Sequence, residues 1–195
     1  MKRRLWLVRH GETDWSAAGK HTGRTDVPLN DKGREQARAL GRGLAALQRQ
    51  FADAYTSPLS RARETASLAG FPEARPMDDL IEWDYGEFEG RRTADIRREL
   101  NDPAWLIWTA AIREGEMPEA VGERADRARK TLLQGEGDVI VFAHGHSLRM
   151  FAARWMELPA RAGQHLALNT GTLSRLGHEH EYRVIERWNA PLATT

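Results

Sequence analysis

The chain has 195 residues, of which 41% are apolar, and its 29 basic and 28 acidic side chains give a net charge of +1. That length suits one domain, residues 1–195, with a hydrophobic core of its own. The balanced charge excludes a general nucleic-acid or membrane-surface binder, so any anion site must be local. The absence of cysteine excludes disulfides and thiolate chemistry. With no signal-peptide core or membrane-spanning run, the sequence predicts a cytoplasmic protein.

The first half of the chain alternates apolar runs with polar loops. An apolar run without a helical period predicts a buried strand, and apolar residues spaced three and four apart predict a helix. Asp31 is the expected cap of the first long helix, and Ser57 that of the second, with Pro58 in its first turn. In order, the predicted elements are a strand at 5–8, a loop at 14–30, a helix at 34–50, a strand at 52–56, a helix at 57–69 and a polar loop at 78–90.

The second half opens with a stretch predicted to be helical from 91 to about 133, with a break near Gly115. The apolar part of this stretch holds Trp105 and Trp108, which core or cap packing explains better than a ligand cage. A strand at 139–143, a helix at 147–158 and strands at 172–176 and 182–184 complete the predicted elements. Strands that alternate with helices predict an α/β fold, in which a mostly parallel central sheet carries helices on both faces. Residues from about 91 to 135 are a candidate cap insertion, a small helical cap over the site.

Four short polar segments carry the residues suited to chemistry. His10 and His144 each directly follow a predicted strand, which places both at the ligand-binding edge of a parallel sheet. Phosphoryl transfer to a histidine needs a neutral imidazole, arginines that neutralise the phosphate oxygens, and an acid that protonates the leaving oxygen. The residues that supply such a set are His10, Arg9, Arg61, His144 and Glu82.

The same segments resemble the signatures of the histidine phosphatase superfamily, also called the phosphoglycerate-mutase-like branch. They occur in that family's order and cover nearly the whole chain, at residues 7–13, 57–66, 82–90 and 142–149. Residues 21–26 and 105–108 make the resemblance closest to small bacterial acid phosphatases and sugar-bisphosphatases. The resemblance implies a phosphoglycerate-mutase-like fold and a phosphatase that hydrolyses phosphate monoesters of a small metabolite.

The resemblance also implies a role for each matching residue. His10 would be the nucleophile, forming a phospho-histidine, and Glu82 would protonate the leaving oxygen and then activate water. Phosphate binding would fall to Arg9, Arg61 and His144, together with the backbone N–H of Gly145. Substrate-pocket positions would be Ser16, Thr22, Gly23 and His146. Many relatives have asparagine in place of Ser16 and serine in place of Met117, so both positions bear on specificity.

Other interpretations of these motifs remain open. Asp84, Glu87 and Glu89 are alternatives to Glu82 as the acid. The residues 145–149 mimic a serine-hydrolase elbow around Ser147, although Arg149 stands where that motif needs glycine. The pair His144/His146 could share a metal, but no carboxylate–histidine cluster completes it, and the pair His178/His180 lies in a polar turn. We therefore predict no metal and no cofactor.

Two further functions would use the same site. A non-catalytic module could bind phospho-ligands, although pure binding needs no nucleophile or acid. A cofactor-dependent phosphoglycerate mutase would need extra cations for the glycerate carboxylate. Arg91, Arg92, Arg97 and Arg98 are predicted to be balanced by Asp95 and Glu99, which favours hydrolysis. The expected partner is a small phosphorylated metabolite, and a homodimer is left open. The pH optimum should lie below neutral because His144 is expected to work as a cation and Glu82 as a protonated acid.

Overall fold

A computed structural model describes residues 2–191 of the chain. Six strands form one sheet in the order β3-β2-β4-β1-β5-β6. The strands β1 to β4 pair in parallel, while β5 lies antiparallel to both β1 and β6. The α/β fold with a mostly parallel sheet is therefore confirmed. The strand bounds are Leu5–Arg9 (β1), Asp53–Thr56 (β2), Arg75–Pro76 (β3), Val139–Ala143 (β4), Leu173–Glu179 (β5) and Tyr182–Ala190 (β6).

Helices pack on both faces of this sheet because side chains alternate across each strand. In β1, Leu5 and Leu7 join one buried cluster with two helices from the second half of the chain, whereas Trp6 and Val8 join another with two helices from the first half. Strand β4 divides its apolar residues between the two clusters in the same way. The helices are Asp14–Ala17 (α1), Asp31–Ala46 (α2), Ser60–Leu68 (α3), Thr93–Glu99 (α4), Pro118–Leu132 (α5) and Gly145–Trp155 (α6).

Strand register brings the sequence-predicted residues to one edge of the sheet. Arg9 pairs with Ala143 at the ends of β1 and β4, so His10 and His144 follow on adjacent strands. Ser57 follows β2 on the other side of β4 and donates its N–H to the Phe142 carbonyl at 2.8 Å. The carboxyl ends of three neighbouring parallel strands thus converge where such sheets bind ligands.

Both predicted caps of the early helices were wrong. The cap of α2 is Asn30, whose side chain accepts from Gly33 N, and Asp31 lies in the first turn. Helix α3 begins at Ser60 rather than at Ser57, and no side chain caps it. The Ser57 hydroxyl instead contacts a histidine ring at the sheet edge. The loop at 14–30 also contains α1, which the sequence prediction omitted.

The stretch from 91 to 133 is much less helical than predicted. Between α4 and α5, residues 100–117 form turns, and these hold Trp105 and Trp108. Both tryptophans are buried in a third apolar cluster with Trp83 and Ile96. The packing in this cluster, rather than a regular helix, holds the segment in place. Whether 91–135 acts as an inserted cap stays a prediction.

The C-terminal strands are longer than predicted, and they form a hairpin turning at residues 180 and 181. Helix α6 begins at Gly145, two residues earlier than expected. Short 3-10 turns occur at Asp78–Leu80, Gly86–Phe88 and Ala160–His165.

Within residues 2–191, none of the helices has both the length and the apolar character that crossing a membrane would require.

Candidate active site

His10 directly follows β1 and is held in one orientation. Its backbone N–H donates to Ala143 O at 2.9 Å, and its carbonyl accepts from Gly171 N at 3.1 Å. Its ring Nδ1 lies 2.7 Å from Gly11 O. A carbonyl oxygen can only accept, so Nδ1 carries the proton of the neutral ring and Nε2 keeps its lone pair. His10 is 4% exposed, and Nε2 is the atom available for nucleophilic attack.

The loop after His10 fits closely against two helices. A Cβ on Gly11 would lie 2.3 Å from the carbonyl oxygen of Gly33, and a Cβ on Gly33 would lie 2.1 Å from that of Glu12. Gly11 N also donates to the buried hydroxyl of Thr65 on α3 at 3.1 Å. Both glycines are therefore required by the close approach of two backbones, and this approach fixes the position of the His10 ring.

His144 lies beside His10 and is fully buried, with 5.1 Å between the two ring centroids. Arg61 Nε donates to His144 Nδ1 at 3.2 Å, and His144 Nε2 lies 2.7 Å from Ser57 Oγ. Because an arginine nitrogen can only donate, Nδ1 accepts and Nε2 carries the proton. His144 is therefore a neutral ring with both nitrogens hydrogen-bonded.

Arg61 is fully buried, and most of its hydrogen bonds go to the loop between α1 and α2. Its terminal nitrogens donate to the carbonyls of Thr22, Gly23 and Thr25 at 3.3, 2.8 and 2.9 Å. With Nε on His144, four of its five N–H bonds are used. Arg61 thus connects the loop to the histidine pair, and its Nη1 also lies 4.0 Å from Asp26 Oδ1.

Arg9 packs against the first turn of α6. Its guanidinium donates to Leu168 O, while its buried Nε has no acceptor among the residues described. A Cβ on Gly145 would lie 3.2 Å from Arg9 Cζ, so glycine lets the guanidinium approach the helix terminus. Two sets of donors, from Arg9 and from the Gly145 N–H, therefore face the same space. Anions bind well to such a combination of arginine and helix N-terminus.

Glu82 is 4% exposed and lies at the same helix terminus. Its Oε1 accepts from Ser147 N at 2.7 Å and from Trp83 N at 2.9 Å, and its Oε2 accepts from His146 N at 3.0 Å. The positive end of a helix dipole stabilises a carboxylate placed there. Glu82 takes the N–H groups of His146 and Ser147 and leaves that of Gly145 for another acceptor.

These side chains surround one cavity of about 210 Å³. Seven of the sequence-predicted residues line it, whereas Arg61, His144 and Gly23 do not. Arg61 and His144 lie behind the cavity wall and contact the lining residues Thr22 and His10 respectively. Gly23 is buried and donates its N–H to the Glu89 carboxylate at 2.9 Å. The Glu89 carboxylate is thus hydrogen-bonded to the loop backbone, and the Asp84 carboxylate accepts from Gly86 N. Neither of these two alternative acids lines the cavity. The predicted residues that line the cavity are Arg9, His10, Ser16, Thr22, Glu82, Gly145 and His146.

Neutral aromatic rings form one wall of the cavity. Tyr85 is 2% exposed, and its hydroxyl hydrogen-bonds to His146 Nδ1. His21 packs against the Tyr85 ring with 5.0 Å between centroids. Burial raises the pKa of Tyr85 well above its ordinary value, and burial lowers the pKa of His21 to about 4. Burial likewise lowers the pKa of His146 well below its ordinary value, so all three side chains are uncharged at neutral pH.

The two central histidines are also uncharged. Burial, followed by the charges of Arg61 and Arg9, lowers the pKa of His10 well below its ordinary value. Burial and Arg61 also lower the pKa of His144. Arg61 already donates to the nitrogen that protonation of His144 would need, so the contacts within the described residues favour the neutral ring. That His144 works as a cation during turnover stays a prediction.

The alternative motif interpretations place their residues differently. The His144 ring contacts Ser57 and Arg61, whereas the His146 ring contacts Tyr85, so the two rings serve separate networks. His178 packs on Trp155 with 5.2 Å between ring centroids. The buried Ser147 hydroxyl has no hydrogen-bond partner in the part of the chain that the structure describes, and thus no base to activate it. Met117 immediately precedes α5 and does not line the cavity.

Sequence reasoning missed several contributors. Ser16 lines the cavity, but it also closes a capping box with Thr13, which the Thr-x-x-Ser spacing could have indicated. The cap prediction for Ser57 overlooks its contact with His144, and Tyr85 falls within the segment 82–90 without a predicted role. Nothing in the local pattern singles out Arg149, which lies one turn into α6. The further lining residues are Gly19, Lys20, His21, Tyr85 and Arg149.

Known proteins resemble the chain over nearly its full length. Residues 5–191 match the model of the histidine phosphatase superfamily, branch 1. An acid phosphatase of Mycobacterium tuberculosis is 41% identical over 182 residues, covering 92% of this chain and 89% of that protein. A sedoheptulose 1,7-bisphosphatase of Saccharomyces cerevisiae is 38% identical over 185 residues, covering 80% and 68% respectively.

Solved structures agree with this assignment. The structure of an open reading frame product of Mycobacterium tuberculosis superimposes with a TM-score of 0.92 at 38% identity, covering 99% of this chain and 100% of that one. Sequence and fold thus identify the same group of enzymes over the whole sheet and its site. The chain belongs to branch 1 of the histidine phosphatase superfamily and is an acid-phosphatase-like enzyme.

Proposed function

We propose that this phosphatase hydrolyses phosphate monoesters of a small metabolite through a covalent phospho-histidine at His10. The observation that carries the proposal is the tautomer of His10, whose Nδ1 proton is held by Gly11 O. Nε2 is left unprotonated beside a cavity that Arg9 also lines. A neutral, oriented imidazole next to a phosphate-binding cation is what attack on phosphorus requires.

Phosphate binding falls first to Arg9 and the Gly145 N–H. The buried Nε of Arg9 has no acceptor in the described residues, so a phosphate oxygen would supply one. Arg61 lies behind the cavity lining and would hold the loop at Thr22 in place, and its direct contact with phosphate stays a prediction. A dianion here would also favour protonation of His144, since a nearby negative charge stabilises imidazolium. His144 would then exchange its contact with Arg61 for one with the ligand.

Glu82 is our candidate for the acid and base. Among the described residues that line the cavity, it is the one carboxylate. In the first step the His10 Nε2–phosphorus bond forms, the ester bond breaks, and Glu82 gives a proton to the leaving oxygen. In the second step Glu82 takes a proton from water, the water oxygen bonds to phosphorus, and the Nε2–phosphorus bond breaks to release phosphate.

Hydrolysis is favoured over mutase chemistry by the contacts of four arginines after the acid. Arg91 pairs with Glu99, and both Arg92 and Arg98 pair with Asp95. Arg97 Nε donates to Trp105 O at 2.9 Å. These arginines are engaged within their own segment, which leaves none of them as a ready clamp for a glycerate carboxylate.

The test is turnover of an aryl phosphate by the wild type and by His10→Ala. We expect the wild type to release phosphate and the variant to lose activity at least about a thousandfold, as removal of a covalent nucleophile does. Folding of the variant is checked by circular dichroism. Binding of inorganic phosphate by the wild type without any turnover would favour the non-catalytic module. Conversion of 3-phosphoglycerate to 2-phosphoglycerate that outpaces phosphate release from every ester would favour the mutase.

A further inference from the structure

Glu116 does not line the catalytic cavity, but it contacts the segment that carries Glu82. It lies two residues before helix α5. Its backbone N–H donates to Asp84 O at 3.0 Å, and its carbonyl accepts from Trp83 Nε1 at 2.8 Å. Its side-chain Oε2 accepts from Asp84 N at 3.0 Å. Three hydrogen bonds therefore join Glu116 to the two residues that directly follow Glu82.

Arg124 on α5 holds the other side of the same segment. Its guanidinium donates to Ile81 O at 2.6 Å and to Asp79 O at 3.1 Å, so it binds the residue directly before Glu82. It also pairs with both carboxylate oxygens of Glu116, with Nε 2.9 Å from Oε1 and Nη2 3.1 Å from Oε2. Arg124 is 5% exposed, and a buried cation needs such a partner. The ion pair thus contacts the backbone on both sides of Glu82.

Glu116 also connects this segment to the loop between α1 and α2. Arg24 Nη2 lies 3.3 Å from the Glu116 carboxylate, and Arg61 donates to the carbonyls of the residues on either side of Arg24. Burial would raise the pKa of Glu116, but the hydrogen bonds and charge of Arg124 outweigh it, so the pKa lies below its ordinary value. A carboxylate that is charged at neutral pH therefore joins the loop, the segment around Glu82 and α5.

Trp83 transmits the position of this segment to the Glu82 carboxylate. Its side chain is fully buried, its N–H donates to Glu82 Oε1 at 2.9 Å, and its indole donates to Glu116 O. A general acid works only when its oxygen lies within hydrogen-bond reach, about 2.6–3.2 Å, of the leaving oxygen. Misplacement of a catalytic group by about 1 Å can cost about 100-fold in rate. Release of the backbone at residues 83 and 84 would therefore impair proton transfer.

We propose that Glu116 is a positioning residue for Glu82, which it holds through the backbone of residues 83 and 84 and through its ion pair with Arg124. The inference rests on the proposed phosphatase function, because it assumes that Glu82 protonates the leaving oxygen. Glu116 lies outside the cavity lining, so it has no direct contact with a bound ester. Removal of its charge should weaken the step that depends on the acid and spare the steps that do not.

The test variant is Glu116→Gln, which keeps the shape of the side chain and removes its charge. The amide nitrogen cannot accept from Arg124 or from Asp84 N, so one of these contacts is lost. Glu119→Gln is the matched control, because it breaks the exposed ion pair with Arg161 in the first turn of α5. Circular dichroism and the melting temperature show whether each variant is folded.

The readout is the ratio of two kcat/KM values, in which the active fraction of a preparation cancels. One is for p-nitrophenyl phosphate, and the other is for the alkyl phosphate that the wild type hydrolyses fastest in a panel of sugar and glycerol phosphates. We expect Glu116→Gln to raise this ratio about tenfold or more, because alkyl leaving oxygens need a proton and nitrophenolate does not. The value for p-nitrophenyl phosphate should fall less than about threefold. Glu119→Gln should leave the ratio unchanged.

A double variant separates positioning of the acid from a general loss of structure. When Glu82→Gln has already removed the acid, Glu116→Gln should change the ratio by less than about twofold, because no acid remains to be positioned. If Glu116→Gln does not fold, Glu116→Asp replaces it. This variant keeps a charge for Arg124 but shortens the reach to Asp84 N, and it should raise the ratio at least about threefold.

Three results would contradict the positioning role alone. These are equal losses on both esters in Glu116→Gln, an unchanged ratio, and a ratio change that is as large in the Glu82→Gln background as in the wild type. In the last case Glu116 would act independently of Glu82. All three leave the phosphatase proposal standing. A wild type that hydrolyses no ester of the panel and no p-nitrophenyl phosphate would overturn that proposal and the positioning role with it.

Discussion

His10 and His144 lie side by side but carry their protons on different ring nitrogens. Gly11 O accepts from His10 Nδ1, whereas Arg61 donates to His144 Nδ1. Each ring is neutral, since burial and the neighbouring arginine lower both pKa values. The proposed nucleophile therefore needs no deprotonation, and a bound anion would favour protonation of His144.

The role of Glu82 is tested by the leaving group. Glu82→Gln removes the acid but retains a side-chain oxygen for one of the α6 N–H groups. We expect a loss of about 100-fold or more in kcat/KM on alkyl phosphates, whose leaving oxygens need a proton. The loss on p-nitrophenyl phosphate should be at least tenfold smaller, because that leaving group departs as an anion.

Asp84→Asn is the matched control, since Asp84 is the neighbouring carboxylate outside the cavity. It should lower activity on the two substrates equally or not at all. Equal losses on both substrates in Glu82→Gln, with a leaving-group effect in Asp84→Asn, would transfer the acid role to Asp84.

Residue-level roles could be predicted from the sequence only in part. The sequence motifs predicted His10 and Glu82 as site residues, and both side chains line the cavity. The contacts of Arg61 could not be predicted, because its backbone partners at 22–25 lie in a loop whose path no local sequence pattern specifies. Arg149 was missed because its accessible face depends on a 3-10 turn that begins more than ten residues later.

At the scale of elements, the contact between the loop after β1 and the first turn of α2 controls the position of His10. Gly33→Ala tests this contact, because a Cβ there would lie 2.1 Å from Glu12 O, which is backbone and cannot rotate away. We expect lower thermal stability, by about 1–3 kcal/mol in unfolding free energy as for other overpacked sites. Activity should also fall, since the loop must shift.

Glu35→Ala provides the control for that variant, as an exposed substitution in the same helix turn. It should leave both the melting temperature and kcat nearly unchanged. If Gly33→Ala matched the control in stability and turnover, the close approach of the two backbones would not be what positions His10.

Elements with strong periodicity were predictable, and those fixed by long-range contacts were not. Strand β4 and helix α2 follow directly from apolar runs and spacing. The segment 100–117 has helix-forming residues, but its tryptophans reach buried positions through turns instead. Tertiary burial of Trp105 and Trp108 outweighs local propensity there. The cap of α2 is Asn30 and not Asp31, a difference of one residue between two equally good capping types.

At the scale of the whole molecule, buried neutral histidines make stability depend on pH. Burial lowers the pKa of His21 to about 4, below the 6.5 of an unfolded chain. Between these values the unfolded chain binds more protons, so the free energy of unfolding falls as pH falls. One such proton contributes a slope of up to about 1.4 kcal/mol per pH unit. His10 and His144 act in the same direction.

Urea unfolding at several pH values from 7.5 down to 4 measures this slope. His21→Gln should reduce it, because the variant has lost one titrating group. Thr93→Val disturbs the contact that Thr93 Oγ1 makes with His21 Nε2 but removes no titrating group, so it should keep the slope. An identical pH dependence in the wild type and His21→Gln would contradict the assignment of a neutral, buried His21.

The most direct test of the account is the chemical identity of the phosphorylated intermediate. The wild type is mixed with an aryl phosphate, quenched in alkali within milliseconds, and analysed by peptide mapping and phosphorus NMR. Because Gly11 O holds the Nδ1 proton of His10, we predict an acid-labile phosphoryl group on Nε2 of His10. A phosphoryl group on Nδ1, on any other residue, or turnover with no phospho-enzyme formed would contradict the account.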